Sequence, residues 1–120
     1  NIYTYESELI QVLISILNNS RDALEFVKYQ EKLIFIDIYK EKEKIIIKIK
    51  DNAGGVSNDL IDKIFEPYFT TKHKSNGTGI GLYMCLEIIS KHMNGTLESE
   101  NKKYIYDDIE YVGLETTIIL

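Results

Sequence analysis

The stretch Lys44 to Lys50 largely alternates, setting Ile45, Ile47 and Ile49 against Lys44, Lys48 and Lys50. Successive side chains of a strand point to opposite faces, so this pattern predicts a strand with one apolar face. An isoleucine-rich run from Leu33 to Tyr39 precedes it across the charged turn Lys40 to Glu43, which predicts a second strand. Upstream, from Ser7 to about Tyr29, apolar residues fall at Leu9, Leu13, Ile16, Leu17, Leu24 and Val27. Spacings of three and four align one face of a helix, so a long first helix is expected there.

Downstream of the second strand, Asp51 to Val56 reads as a glycine-containing loop, with Ser57 capping a short helix that runs to about Phe65. From Glu66 to Gly79 the chain has few aliphatic residues and reads as a mobile lid. Helical spacing resumes from Gly81 with Leu82, Cys85, Leu86, Ile89 and Met93, and Gly95 stands at the usual glycine stop. Thr96 to about Glu100 and Leu114 to Leu120 read as strands, with Asp107 to Glu110 in or near a turn and Tyr104 to Tyr106 readable either way.

The 120 residues suffice for one core and one domain, 1–120. A formal charge of -5 with scattered lysines leaves no basic stripe for nucleic acid, which excludes it as an expected partner. No stretch reaches the roughly 18 apolar residues needed to span a bilayer, and no secretion signal opens the chain. The single cysteine, Cys85, excludes an internal disulfide and lies in an apolar helical pattern. A cytoplasmic domain without direct membrane contact is expected. The opening without methionine and the stop on Leu120 point to a fragment whose parent could be membrane-bound.

Three short segments carry the chemistry. Asn19 interrupts the apolar first helix, with Ser15 and Ala23 one turn to either side on the same face. By itself it fits a solvated helix face; its amide oxygen also suits Mg²⁺, a hard cation that takes few protein ligands beside phosphate oxygens and water. Asp51 ends a strand and opens Asp-Asn-Ala-Gly-Gly-Val, where its carboxylate could accept a hydrogen bond from an exocyclic amine or simply form an Asx turn. Gly77-Thr78-Gly79-Ile80-Gly81-Leu82 leads into the third helix, and closely spaced glycines let exposed N–H groups approach phosphate. Its spacing is neither the dinucleotide fingerprint nor a Walker loop.

In order, these segments resemble the nucleotide-binding domain shared by histidine kinases, type II topoisomerases, ATP-dependent heat-shock chaperones and mismatch-repair ATPases, over nearly the whole chain. Phe65-Glu66-Pro67-Tyr68-Phe69-Thr70-Thr71-Lys72 resembles that superfamily's phenylalanine box, and with Lys91-His92-Met93-Asn94-Gly95 it looks like the histidine kinase branch. The resemblance implies a two-layer α/β sandwich of the Bergerat type, in which a mixed, mostly antiparallel sheet is covered on one face by three helices. It implies ATP and Mg²⁺ as cofactors. Asn19 would hold the metal and, with Asp22 and Ala23, contact the nucleotide, and Asp51 would bind the adenine amino group with Gly55 and Val56 beside it. Ile64 and Leu82 would line the base pocket; Thr71, Lys72, Gly77, Thr78, Gly79, Ile80 and Gly81 would hold the phosphates. Position alone would turn Thr117 toward the adenine.

By the same resemblance the domain donates the γ-phosphate of ATP to a histidine on its own dimerisation and phosphotransfer helical domain, from which an aspartate of a response regulator receiver domain takes it. Neither His73 nor His92 sits in an acceptor context, so no catalytic acceptor is expected in this chain. Two positions depart from the pattern. Ala53 replaces the first glycine of Asp-x-Gly-x-Gly, so the turn must accept a right-handed backbone there. Ser15 stands where hydrolysing relatives carry a glutamate, and serine cannot act as that base at neutral pH. An ATPase, a protein serine kinase and a nucleotide-sensing module without turnover are the alternative readings.

Overall fold

A computed structural model describes residues 2–28, 31–67 and 81–120, with side chains from residue 6 onward. Helix α1 (Ile2–Leu24) leads to strands β1 (Ile34–Glu41) and β2 (Lys44–Asp51). A 3-10 turn (Ile61–Lys63) follows, then helix α2 (Leu82–Glu87) running into a π-helical segment (Ile88–His92), and strands β3 (Thr96–Tyr106) and β4 (Ile109–Ile119) close the chain. The four strands form one sheet in the order β1-β2-β4-β3, and every described pairing is antiparallel.

The register lays out rows across the sheet. Ile38, Ile47, Ile118 and Leu97 form one, and Ile36, Ile49, Thr116 and Ser99 the next. The buried members on that face pack against Val12 and Ile16 of α1 and against Cys85, Ile88 and Ile89 of α2 and the π segment. Apolar side chains that leave water together supply the drive, at roughly 25 cal/mol per Å². The expected two-layer sandwich is therefore present, with a sheet that is antiparallel throughout the described residues rather than mixed. No helix among them is long and apolar enough to cross a membrane.

Several boundaries differ from the sequence expectation. Helix α1 ends at Leu24, not near Tyr29, because Leu24 is its last buried apolar residue and Phe26 beyond it is exposed. The short helix expected from Ser57 to Phe65 is one 3-10 turn; the Ser57 carbonyl accepts from the N–H groups of Leu60 and Ile61, and only Ile64 is buried nearby. Too little apolar surface is covered to offset the cost of nucleating a longer helix. At the end of the π segment the left-handed residue is Asn94, at φ 55°, rather than Gly95. Glycine is needed at 95 for a different reason: a Cβ there would lie 2.5 Å from the carbonyl oxygen of Ile119.

Strands β3 and β4 are longer than expected. Tyr104–Tyr106 continues β3, and β4 begins at Ile109, so the turn is the pair Asp107 and Asp108 at φ 52° and 63°. Two successive positive φ values match the right-handed twist of a two-residue hairpin, and aspartate tolerates that region better than most residues. Lys42 and Glu43, at φ 53° and 82°, make the β1–β2 turn with less suitable side chains.

Candidate functional site

Asp51 is the last residue of β2 and continues the helix-side row of Ile47 and Ile49, so strand alternation turns its carboxylate toward the layer of helices. Only 3% of it is exposed. Its Oδ1 accepts hydrogen bonds from the backbone N–H of Ala53 at 3.0 Å and of Leu114 at 3.2 Å. The first is the local Asx bond that the Asp-Asn sequence favours, and the second ties the carboxylate to β4. On the outer side, the Tyr104 hydroxyl donates to the Asp51 carbonyl at 2.6 Å. Burial first, then the neighbouring Asp51 carboxylate and Tyr111, push the Tyr104 hydroxyl up to about 12.

The loop after Asp51 meets the constraint that Ala53 posed. Positive φ falls on Gly54, at 98°, and Gly55, at 79°, while Ala53 stays out of that region. The alanine methyl therefore brings none of the backbone strain that residues with a Cβ suffer there. Asn52 is buried and bridges to the segment before β1: its Oδ1 accepts from Leu33 N–H at 2.9 Å and its Nδ2 donates to the Glu31 carbonyl at 2.6 Å.

On α1, Asn19 and Asp22 are half-buried, Ala23 is exposed, and Asp22 lies 3.6 Å from the Arg21 guanidinium. Ser15 is buried one turn before Asn19 and hydrogen-bonds Cys85 of α2. Burial raises the Cys85 thiol above its ordinary value, against the lowering effect of Ser15. Ile64 is buried and Leu82, at the start of α2, packs against the core. Gly81 caps α2 in an extended conformation and accepts the Cys85 N–H at 3.2 Å. Thr71, Lys72, Gly77, Thr78, Gly79 and Ile80, together with His73, lie outside the described residues. His92 is an exposed partner of Glu8, with Nδ1 2.7 Å from the carboxylate oxygen.

Thr117 does not join this group. The register sets it beside Lys48 and Glu98 on the outer face, where it lines a shallow depression with Glu115 and Tyr39. Thr116 takes the helix-side position, in register with Ile49, buried and 2.8 Å from the Ser99 hydroxyl oxygen. The correction follows from the period of two: adjacent threonines face opposite ways, and only the pairing with β2 decides which faces the helices.

Four residues around Asp51 escaped the sequence reading: Asn52, Asn101, Tyr104 and Gly113. A Cβ at Gly113 would overlap the Asp51 carbonyl oxygen. A glycine inside a strand pattern is a recognised signal of such close backbone approach, but the strand expected from sequence begins at Leu114, one residue too late for the signal to apply to Gly113. Asn101 carries no comparable sequence signal.

The sequence and the fold have relatives among known proteins. Residues 4–120 match the sequence model of the histidine kinase-, DNA gyrase B-, and HSP90-like ATPases. Sporulation kinase D of Bacillus subtilis is 36% identical over 106 residues, 88% of this chain and 19% of that protein. The two-component sensor PprA of Pseudomonas aeruginosa is 34% identical over 99 residues, 79% of this chain and 10% of its own length. The catalytic domain of the histidine kinase ThkA superposes with a TM-score of 0.74 at 26% identity, covering 95% of this chain and 66% of that one. A further ThkA structure, in complex with the response regulator protein TrrA, shares the fold at a TM-score of 0.68 and 23% identity, over 95% of this chain and 28% of that one. The chain thus spans a fifth or less of the length of those two curated relatives.

Proposed function

The chain belongs to the family of histidine kinase-, DNA gyrase B-, and HSP90-like ATPases, and from that premise we propose that it binds Mg·ATP and donates the γ-phosphate to a histidine on a helical partner domain of its parent protein. The observation that carries this reading is the Asp51 carboxylate, buried on the helix side with Oδ1 held by two backbone N–H groups. With Oδ1 so committed, Oδ2 is the oxygen to meet the exocyclic amine of adenine. Gly55 and Val56 would border the base, with Ile64 and Leu82 as its apolar walls, and Thr116 replaces Thr117 as the β4 threonine on this side.

Asn19 is the residue to hold Mg²⁺, and Asp22 and Ala23, three and four residues further along α1, would contact the nucleotide beside it. Its donor chemistry fits: one neutral amide oxygen on a half-buried helix flank suits a small hard cation that arrives with nucleotide and completes its shell with phosphate oxygens and water. Bound there, the metal would neutralise phosphate charge. The chain's own part is to orient: Thr71, Lys72 and Gly77 to Gly81 would hold the phosphates so that the γ-phosphorus faces the acceptor. Hydrolysis is disfavoured because Ser15, where a water-activating glutamate would stand, is buried against Cys85. A two-component sensor among the relatives and the ThkA–TrrA complex support a receiver domain as the next acceptor.

Titration of the chain with Mg·ATP and Mg·ADP tests binding, and Asp51→Asn should weaken it by about 1.5–3 kcal/mol, the worth of a hydrogen bond to a charged group. Labelled ATP should leave the chain alone unmodified and label a histidine-bearing helical domain from the same parent when that is added. An unchanged affinity in Asp51→Asn removes the carboxylate from the site, and brisk phosphate release by the chain alone makes it an ATPase.

A further inference from the structure

The loop from Asn52 to Ser57 has no regular secondary structure, so its backbone N–H and C=O groups must find partners individually. The long β3–β4 hairpin supplies them. The Asn101 side chain accepts the Val56 N–H through Oδ1 at 2.8 Å and donates through Nδ2 to the Val56 carbonyl at 2.6 Å. One primary amide thus pairs with both polar groups of a single residue, as a neighbouring strand would. The Gly54 N–H donates to the Val112 carbonyl at 2.9 Å. Asn101 stands opposite Leu114 in the β3–β4 register, and Leu114 donates to Asp51 Oδ1. One rung of the hairpin therefore fixes the carboxylate from one end and the glycine loop from the other.

Gly55 records the same arrangement from the loop side. Beyond its positive φ, a Cβ there would lie 2.5 Å from Asn101 Oδ1 and 3.1 Å from its Cγ. The residue is glycine both for its backbone and to admit this side chain.

We propose that Asn101 is a positioning residue for the adenine half of the nucleotide site, clamping Gly55 and Val56 at the distance from Asp51 that the base requires. The proposal rests on the nucleotide reading above. Its occupant is the base and not the phosphates, because the clamped loop adjoins Asp51, whereas the phosphates are assigned to the segment leading into α2. Asn101 touches no ligand in this scheme and acts only through the loop it holds.

The test uses the 120-residue chain with three ligands, ATP, ADP and adenosine, and with amide hydrogen exchange at Gly55 and Val56 in the absence of ligand. Asn101→Ala should speed exchange at Val56, leave the melting temperature within a few degrees because the side chain is exposed, and raise Kd for all three ligands by a common factor of about ten. A common factor is the readout that a merely structural clip would not move. Should Asn101→Ala not fold, the isosteric Asn101→Asp, which keeps the acceptor and loses the donor, carries the same test. Native chain that binds nucleotide together with a variant of unchanged Kd overturns the clamp, as does a loss for ATP that spares adenosine. Native chain that binds none of the three overturns the nucleotide reading and this inference with it.

Discussion

Two rows of isoleucine lie side by side on the same face of the sheet and fare differently. In β2, Ile47 and Ile49 are 4% and 2% exposed, and Asp51 at the end of the row is 3% exposed. In β1, their register partners Ile38 and Ile36 are 63% and 54% exposed, and Ile34, opposite Asp51, is 38% exposed. Residue type, strand period and face are shared. What differs is the cover, since Val12 and Ile16 of α1 lie over the β2 row, while no described core residue lies over the β1 row. A strand pattern records which residues leave the plane together; the second layer decides which of them leave water. The candidate site sits at the end of the covered row, where a carboxylate can be buried because backbone donors meet it.

The sharpest way to break this comparison is at that end of the β2 row. Gly113→Ala would drive a methyl into the Asp51 carbonyl oxygen, a backbone atom that no rotamer change can move. The expected loss is about 3 kcal/mol or more, read by urea unfolding, and nucleotide binding should fail along with the fold. A Gly113→Ala chain of native stability would mean that β2 and β4 do not approach as closely as described.

Next in size is Ile49→Ala, in the middle of the covered row. Removing a buried isoleucine to alanine costs about 2–5 kcal/mol, from lost transfer energy and the cavity that remains. The loss should appear as a lower urea midpoint at unchanged slope, since the same surface unfolds. A cost below about 1 kcal/mol would mean that α1 does not cover this row.

The contrast also shows what the sequence could and could not tell. Alternation at Ile45, Ile47 and Ile49 and the three-four spacing in α1 depend on neighbours within a turn or two, and both elements were legible, apart from their ends. Asp51 was legible as a strand-terminal carboxylate beside glycines. Burial of β2 over β1 was not, because it depends on where α1 crosses the sheet. Thr116 and Thr117 could not be told apart from position alone, since one residue of register exchanges the faces. The hairpin was read too short because its turn is Asp107-Asp108, which lacks the glycine that usually marks two-residue turns. Asn101 meets Val56 across 45 residues, a separation at which no local pattern operates.

The smallest expected effect is the one that tests the comparison most directly. Ile38 pairs with Ile47 in register, so Ile38→Ala makes the same chemical change on the same face, one strand away from the covered row. Burying a whole isoleucine side chain is worth roughly 1.5–3 kcal/mol, and with 63% of Ile38 exposed only about a third of that is realised. The lost β-branched side chain adds a few tenths at an edge strand, where such preferences are weakest. About 0.8–1.3 kcal/mol is therefore expected, roughly a third of that for Ile49→Ala, again from urea midpoints at matched slopes. Equal losses at the two positions would mean that something covers the β1 row in solution. A second copy of the chain would betray itself by a midpoint that rises with protein concentration, because association stabilises by mass action. A midpoint independent of concentration, with a small loss at Ile38 and a large one at Ile49, would establish that the cover of α1, and not the isoleucine pattern, separates the two rows.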